Sequence, residues 1–332
     1  MVVRVEILFA VLAALMFGTG FYMSGTVSRR LGPVTVAYWT QYGVVAVALA
    51  LLLGQPVVRW SPEALIWGTV GALGGVAGSL CLYAALSRAT FTLAVGASTV
   101  TTTVTPALVA MALLGEAVTI MRLVLVGLAV LTVWLLVSQK RSKGVAVVTS
   151  PLPVVSPQEG GNTEEEEIAR SSSQAEAELP GRSGPGAGLL SLAAGLGYAI
   201  ELVGIAQVPR ESFTQGLSAW AVVSLLVMLV VFMVRGGRDV RGRMRRLLPS
   251  GSGGALVILA GGFSATGMLL FNISSGSIGL ATTSAIVAVY PAVPILLAVA
   301  ILRERPSRRG WAGLACAALV VGLGALSTVI QG

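Results

Sequence analysis

The chain contains no histidine. That removes imidazole metal sites, Ser/His and Cys/His catalysis, and an imidazole proton relay. Cysteine is almost as scarce. Cys81 and Cys316 both lie inside apolar runs, where a free thiol behaves as a small buried hydrophobe and says nothing of redox compartment. Charge is scarce as well: 11% of the 332 residues are Asp, Glu, Lys or Arg, against about 25% in an ordinary soluble domain. So little polar surface cannot cover a water-soluble globule of this size, which excludes a cytosolic enzyme. With 55% hydrophobic residues, a wholly disordered chain is excluded too. The net charge of +8 invites a nucleic-acid partner. The basic residues, however, stand in short clusters between apolar runs and form no continuous basic face, so that partner is excluded. No Gly-x4-Gly-Lys-Ser/Thr loop is present, so ATP-driven transport has no phosphate cradle in this chain. Only two of the 22 basic residues are lysines, Lys140 and Lys143. With abundant Ala, Val and Gly, that codon bias points to a GC-rich bacterial genome.

What the chain does have is long apolar runs. A bilayer core about 30 Å thick needs roughly 20 apolar residues per helix. Ten such stretches can be marked, at 3–25, 34–54, 64–87, 91–114, 120–138, 187–207, 213–234, 253–275, 279–302 and 309–330. Between them stand loop residues: Arg29-Arg30 with Gly32-Pro33, Gln55-Pro56 with Ser61-Pro62, Pro209-Arg210, and Arg305-Pro306. The first stretch is longer than a signal-peptide core and lacks a clear cleavage site, so it is read as a retained helix. Residues 139–186 are long, polar and rich in Ser, Pro and Gly, and hold seven of the 14 acidic residues, including Glu164 to Glu167. Such a segment cannot offset its ordering entropy by burial and is expected to be a disordered linker. It separates two five-helix halves, 1–138 and 187–332.

The halves resemble each other. At an offset of 188 residues, Pro106, Leu108, Ala110, Ala112, Leu114 and Glu116 fall on Pro294, Leu296, Ala298, Ala300, Leu302 and Glu304. The register holds from Leu82 and Leu270 to Thr119 and Ser307, each a hydroxyl placed to cap the next helix. Five is odd, so repeated halves enter the membrane in opposite senses. The expected fold is an all-α polytopic membrane protein, ten transmembrane helices as two inverted five-helix repeats. Loop charges agree. Loops after odd-numbered stretches hold 18 of the 22 basic residues, and the other side holds Arg4, Arg59, Arg122 and Arg210. By the positive-inside rule both termini face out and the linker faces the cytoplasm.

Two five-helix halves, each closing its fourth helix with Pro, nine residues and Glu (Pro106 to Glu116, Pro294 to Glu304), resemble the EamA family of the drug/metabolite transporter superfamily. Tyr83-Ala-Ala-Leu and Phe271-Asn-Ile-Ser fit that family's third-helix ending. The resemblance covers both halves but not the linker. It implies a ten-helix carrier with a central cavity, moving small metabolites, often outward, in some relatives with protons or by exchange. The chain departs from the pattern where family members often carry an Arg early in the second helix; it reads Tyr38-Trp39-Thr40-Gln41-Tyr42 there. Relatives are also usually drawn with cytoplasmic termini, opposite to the loop charges.

Within the spans, Glu201 is the most informative residue. A charge deep in a span is costly and usually faces a cavity, so Glu201 is the candidate for proton coupling or cation binding. Its alternative is a hydrogen-bonded structural carboxyl near the interface. Candidate substrate contacts are Trp39, Gln41, Tyr83, Thr102, Trp220, Asn272 and Tyr290, since a small-molecule cavity needs apolar walls and a few fixed polar groups. The competing readings are interfacial belt residues for Trp39 and Tyr42, cross-helix bonding for Asn272, and repair of proline kinks for the threonines before Pro106. Glu116 and Glu304 read as structural, held by the following helix N-terminus or a nearby Arg. Gly71, Gly74, Gly75 and Gly78 give two overlapping GxxxG spacings for close helix contact. No cofactor or metal is expected. The expected partners are a small-molecule substrate, protons as a candidate coupling ion, and the bilayer of a bacterial cytoplasmic membrane. The leading function is a secondary exporter of small metabolites such as amino acids. The alternatives are a non-transporting membrane scaffold and an intramembrane enzyme, the latter disfavoured by one buried Glu and no His.

Overall fold

The computed structural model describes residues 2–31, 33–55, 61–86, 91–137, 185–235, 248–249, 251–293, 296 and 308–331. Among these the chain is helical, without a strand. The first half holds α1 (Val2–Leu31), α2 (Pro33–Leu53), α3 (Pro62–Leu86), α4 (Phe91–Ala112) and α5 (Ile120–Val137). The second holds α6 (Pro185–Gln207), a short 3-10 turn (Arg210–Ser212), α7 (Phe213–Arg235), α8 (Gly251–Ile278), α9 (Leu280–Val287) and α10 (Arg308–Gln331). Helices α2, α3 and α6 open on proline, where the missing N–H has no intrahelical acceptor to lose. Ser61 caps α3 by accepting from the Ala64 N–H at 3.4 Å, and Thr119 caps α5 by accepting from the Arg122 N–H at 3.3 Å. Ser307, Pro294, Glu304 and the linker up to residue 184 lie outside the described residues.

Among the described residues six stretches are long and apolar enough to cross a membrane: Val5–Gly25, Val34–Leu53, Pro62–Leu82, Gly188–Gln207, Arg210–Val234 and Gly251–Ile278. Shorter apolar helices span Ala97–Ala112, Ile120–Leu135 and Trp311–Leu323. Two expectations need correction. The Arg29-Arg30 pair is not a loop, because α1 continues to Leu31 and stops only before Gly32-Pro33; arginine is a good helix former and the X-Pro step is the breaker. The ninth stretch is not one unbroken helix. It begins after Gly279, at φ +88°, and α9 ends at Val287 in a turn over 288–291. Pro291 cannot donate to the Val287 carbonyl, so the backbone tightens there: Tyr290 donates to Val287 at 2.9 Å and Ala292 to Val289 at 2.8 Å.

Alanine recurs at fully buried helix contacts and many large apolar side chains face outward, while Phe271, Leu125, Ile205 and Met228 fill the interior. Ala10, Ala13, Ala64, Ala72, Ala107, Ala110, Ala194, Ala199 and Ala260 are fully buried, whereas Leu8, Ile66, Leu108, Trp134, Leu189, Val230 and Leu259 are exposed. Lipid solvates the large residues, while small ones let helices approach closely.

The two halves interleave. Helix α6 lies on α3 as α1 lies on α8, and α7 lies on α3 as α2 lies on α8. Helices α2 and α7, α4 and α9, and α5 and α10 pair across the halves. Exchanging the halves thus maps one set of contacts onto the other. Glycine makes both central crossings possible. A Cβ at Gly68 on α3 would strike Gly216 on α7, and one at Gly43 on α2 would strike Ile258 and Gly262 on α8. The ends also agree with alternating helix directions. Residues from the charge-poor side meet: Gln55 donates to Thr214 at 2.6 Å, and Glu116 reaches the start of α9.

Candidate functional site

Glu201 sits on α6, two turns before its end, and is only 9% exposed. Its neighbours follow from the glycines of α3. Gly74 faces the Gly197 carbonyl, and Gly78 faces the Tyr198 N–H and the Ala194 carbonyl; Cβ atoms there would fall 2.8–3.0 Å from α6 backbone. This close approach brings the Glu201 carboxyl against Gly75. A Cβ at Gly75 would lie 2.5 Å from Oε1, 2.6 Å from Cδ and 2.8 Å from Oε2. The Gly75 peptide is tied down: the Ser79 hydroxyl donates to its carbonyl at 2.9 Å and accepts from the Tyr198 hydroxyl at 3.2 Å.

From α7, the Trp220 indole N–H is directed at the same carboxyl. It stops short of full hydrogen-bond geometry and is a buried donor that reaches no acceptor among the described residues. No Lys or Arg pairs with Glu201 among the described residues. Arg122 is engaged with Glu116 at 3.5 Å, and Arg210 donates to the Ile273 carbonyl at 2.6 Å and to the Ser277 hydroxyl. Among the described residues no group of three His, Cys, Asp or Glu side chains could hold a metal ion.

The other candidates stand in separate contacts. Asn272 is 2% exposed, and its amide donates to the Ile205 carbonyl at 2.7 Å and the Val208 carbonyl at 3.0 Å. It therefore closes the C-terminal turn of α6, where backbone acceptors lack helical partners, while its Oδ1 is buried without a donor among the described residues. The Gln41 amide donates within α2 to the Ala37 carbonyl at 3.3 Å, and its Oε1 is likewise unmatched. Trp39 is buried beside Tyr38, Val76, Met228 and Phe232. Burial of that kind differs from an interfacial belt position. Thr102 donates to the Ser98 carbonyl at 2.8 Å and the Gly195 carbonyl at 3.3 Å. Tyr290 stacks on Phe21 with centroids 5.2 Å apart, and its hydroxyl meets Thr99 at 3.3 Å. The Tyr83 side chain lies outside the described residues. Glu201 and Trp220 are thus brought together, whereas Asn272 joins α8 to the end of α6, Tyr290 meets Phe21 of α1 and Thr99 of α4, and Gln41 bonds within α2.

The threonines before Pro106 bond one turn earlier than kink repair requires. Thr101, Thr102 and Thr103 donate to the carbonyls of Ala97, Ser98 and Thr99. Pro106 frees the Thr102 carbonyl instead. Glu116 pairs with Arg122, as expected, but its carboxylate also accepts from the Leu280 N–H at 2.6 Å and the Ala281 N–H at 3.4 Å. The helix it caps is α9, in the other half.

Two features escaped the sequence reading. Gln215 is 1% exposed with an unmatched Oε1, and nothing in its apolar setting announces it. A motif that could have been seen is Gly18-Thr-Gly20-Phe21 against Gly195-Leu-Gly197-Tyr198. Its first glycines play equivalent parts: a Cβ at Gly18 would meet Tyr290 and Val293 by α9, and one at Gly195 would meet Ser98 and Thr101 on α4.

The sequence model of the EamA-like transporter family matches residues 4–138 and 186–325. No curated protein matches. Twenty-six chains in solved structures match. One, titled "Crystal structure of protein", is 19% identical with a TM-score of 0.63, covering 98% of this chain and 97% of that one. At that identity the likeness speaks for the fold alone.

Proposed function

The chain belongs to the EamA-like transporter family, and from that premise we propose that it is a secondary carrier exporting small metabolites such as amino acids. In this reading ten helices cross a bacterial cytoplasmic membrane as two inverted five-helix repeats. Both termini lie outside and the linker lies in the cytoplasm. The exchange-symmetric packing of the halves supports the repeat, and the 18 basic residues in loops after odd-numbered stretches support the orientation.

The observation that carries the mechanism is the buried Glu201 carboxyl, seated between α6 of one half and α3 of the other. Inverted-repeat carriers hold substrate and coupling ions at such repeat interfaces and rock one repeat against the other. A single carboxyl with no cationic partner among the described residues takes up one proton from the side to which the site is open. Rocking the halves exposes it to the other side, where the proton leaves. Coupling follows if substrate and proton alternate at the site. Trp220, beside the carboxyl, is then the nearest substrate contact. Asn272 serves the junction of α6 and α8.

Purified protein in proteoliposomes, with a panel of radiolabelled amino acids and an imposed pH gradient, tests this reading. Flux that follows the gradient supports it. No flux of any amino acid or related metabolite, from protein that remains folded, would sink it.

A further inference from the structure

The four glycines of α3 form one pattern in sequence, but α6 meets them in three different ways. Gly74 and Gly78 oppose α6 backbone, so their missing side chains set how closely the helices approach. Gly71 has room: a Cβ there would make ordinary contacts at 3.4 Å with the Glu201 carbonyl and 3.6 Å with Ile205. Gly75 differs in that its three nearest atoms all belong to one side-chain end, the Glu201 carboxyl, within 2.8 Å of the Cβ position; Gly74 and Gly78 meet backbone atoms as well as Ile200 and Tyr198 side chains. Ser79 fixes the Gly75 peptide from α3, and Tyr198, three residues before Glu201, locks Ser79 from α6. The slot is therefore held from both helices at the level of the carboxyl, with the unmatched Trp220 N–H on its α7 side.

We propose that Gly75 is a positioning residue: its absent side chain is the slot that holds the Glu201 carboxyl at the α3–α6 interface beside Trp220. The functional weight of this inference rests on the coupling role of Glu201. A methyl group at Gly75 meets first the flexible end of the Glu201 side chain, its three nearest atoms, so the carboxyl can move while the helices keep their approach. A methyl group at Gly74 meets backbone and pushes the helices apart. A merely structural glycine would not make this distinction.

The test needs no substrate. Intrinsic tryptophan fluorescence of the purified full chain is titrated with pH, and the Trp220 signal is isolated by subtracting Trp220→Phe. Wild type is expected to show a step that is absent in Glu201→Gln. In Gly75→Ala the midpoint moves by about one pH unit, a tenfold change in proton affinity, with thermal unfolding close to wild type. Gly71→Ala leaves the midpoint in place. The double variant Gly75→Ala/Glu201→Asp, whose shorter side chain withdraws the carboxyl by one methylene, returns the midpoint toward that of Glu201→Asp alone. Such non-additivity identifies a direct pair. A Gly75→Ala midpoint equal to wild type in folded protein overturns the proposal and leaves the coupling role standing. A wild-type chain with no Glu201-dependent step overturns the coupling role and the proposal together.

Discussion

The α3–α6 and α8–α1 interfaces both join the two halves and change places when the halves are exchanged, and both are built on glycine. At α8–α1, Gly20 faces the Ala260 carbonyl and the Ser264 hydroxyl, and a Cβ at Gly267 would lie 2.9–3.2 Å from the Phe17 ring. At α3–α6 the glycines face backbone, except for Gly75, which faces a carboxyl. One copy of the interface thus seats a phenyl ring and the other an ionisable group. The repeat preserves the close packing, which depends on having no side chain, and leaves free what fills the remaining space. Among the described residues only the α3–α6 copy places an ionisable group at the interface, so a two-fold arrangement carries a one-sided feature.

Three substitutions break or sharpen this contrast. The largest stability effect is expected from Gly74→Ala, whose methyl would press on the Gly197 carbonyl and the Glu201 N–H. Overpacking against backbone costs about 1–3 kcal/mol, read as earlier thermal unfolding in detergent. Next is Asn272→Leu, which keeps the volume but removes the donor to Ile205 and Val208. Cross-helix bonds of this kind in membranes contribute about 0.6–2 kcal/mol, and amide exchange should rise in the last turn of α6. Smallest is Glu116→Gln, which keeps an acceptor for the α9 N-terminus but removes its charge and the Arg122 pair. A loss of about 0.3–1 kcal/mol is expected, shrinking as salt is added.

Local features were legible in the sequence. Apolar runs located the helices, Thr119 announced its cap, and a lone Glu in an apolar run marked Glu201. Long-range partners were not legible. Asn272 bonds residues 64 and 67 positions away, and Glu116 reaches one 164 positions away, in the opposite half. Periodicity describes one helix at a time and carries no information on which helix lies opposite. The same limit hid Gly75. Gly71, Gly74, Gly75 and Gly78 are equivalent by spacing, and only the rotation of α6 against α3 decides which faces backbone and which faces the carboxyl. The break of the ninth stretch after α9 has a visible cause in Pro291. The extension of α1 through Arg29-Arg30 shows that basic charge is a weak loop signal, since arginine sustains a helix.

The central claim is that Glu201, seated between the halves, couples transport to protons. The most direct test is gradient-driven flux in proteoliposomes, wild type against Glu201→Gln, with substrate exchange at equal pH as the control. The expected result is a loss of roughly tenfold or more in gradient-driven flux, about 1.4 kcal/mol in barrier terms, with exchange at equal pH retained. Glu201→Gln protein that still follows the pH gradient as wild type does would contradict it.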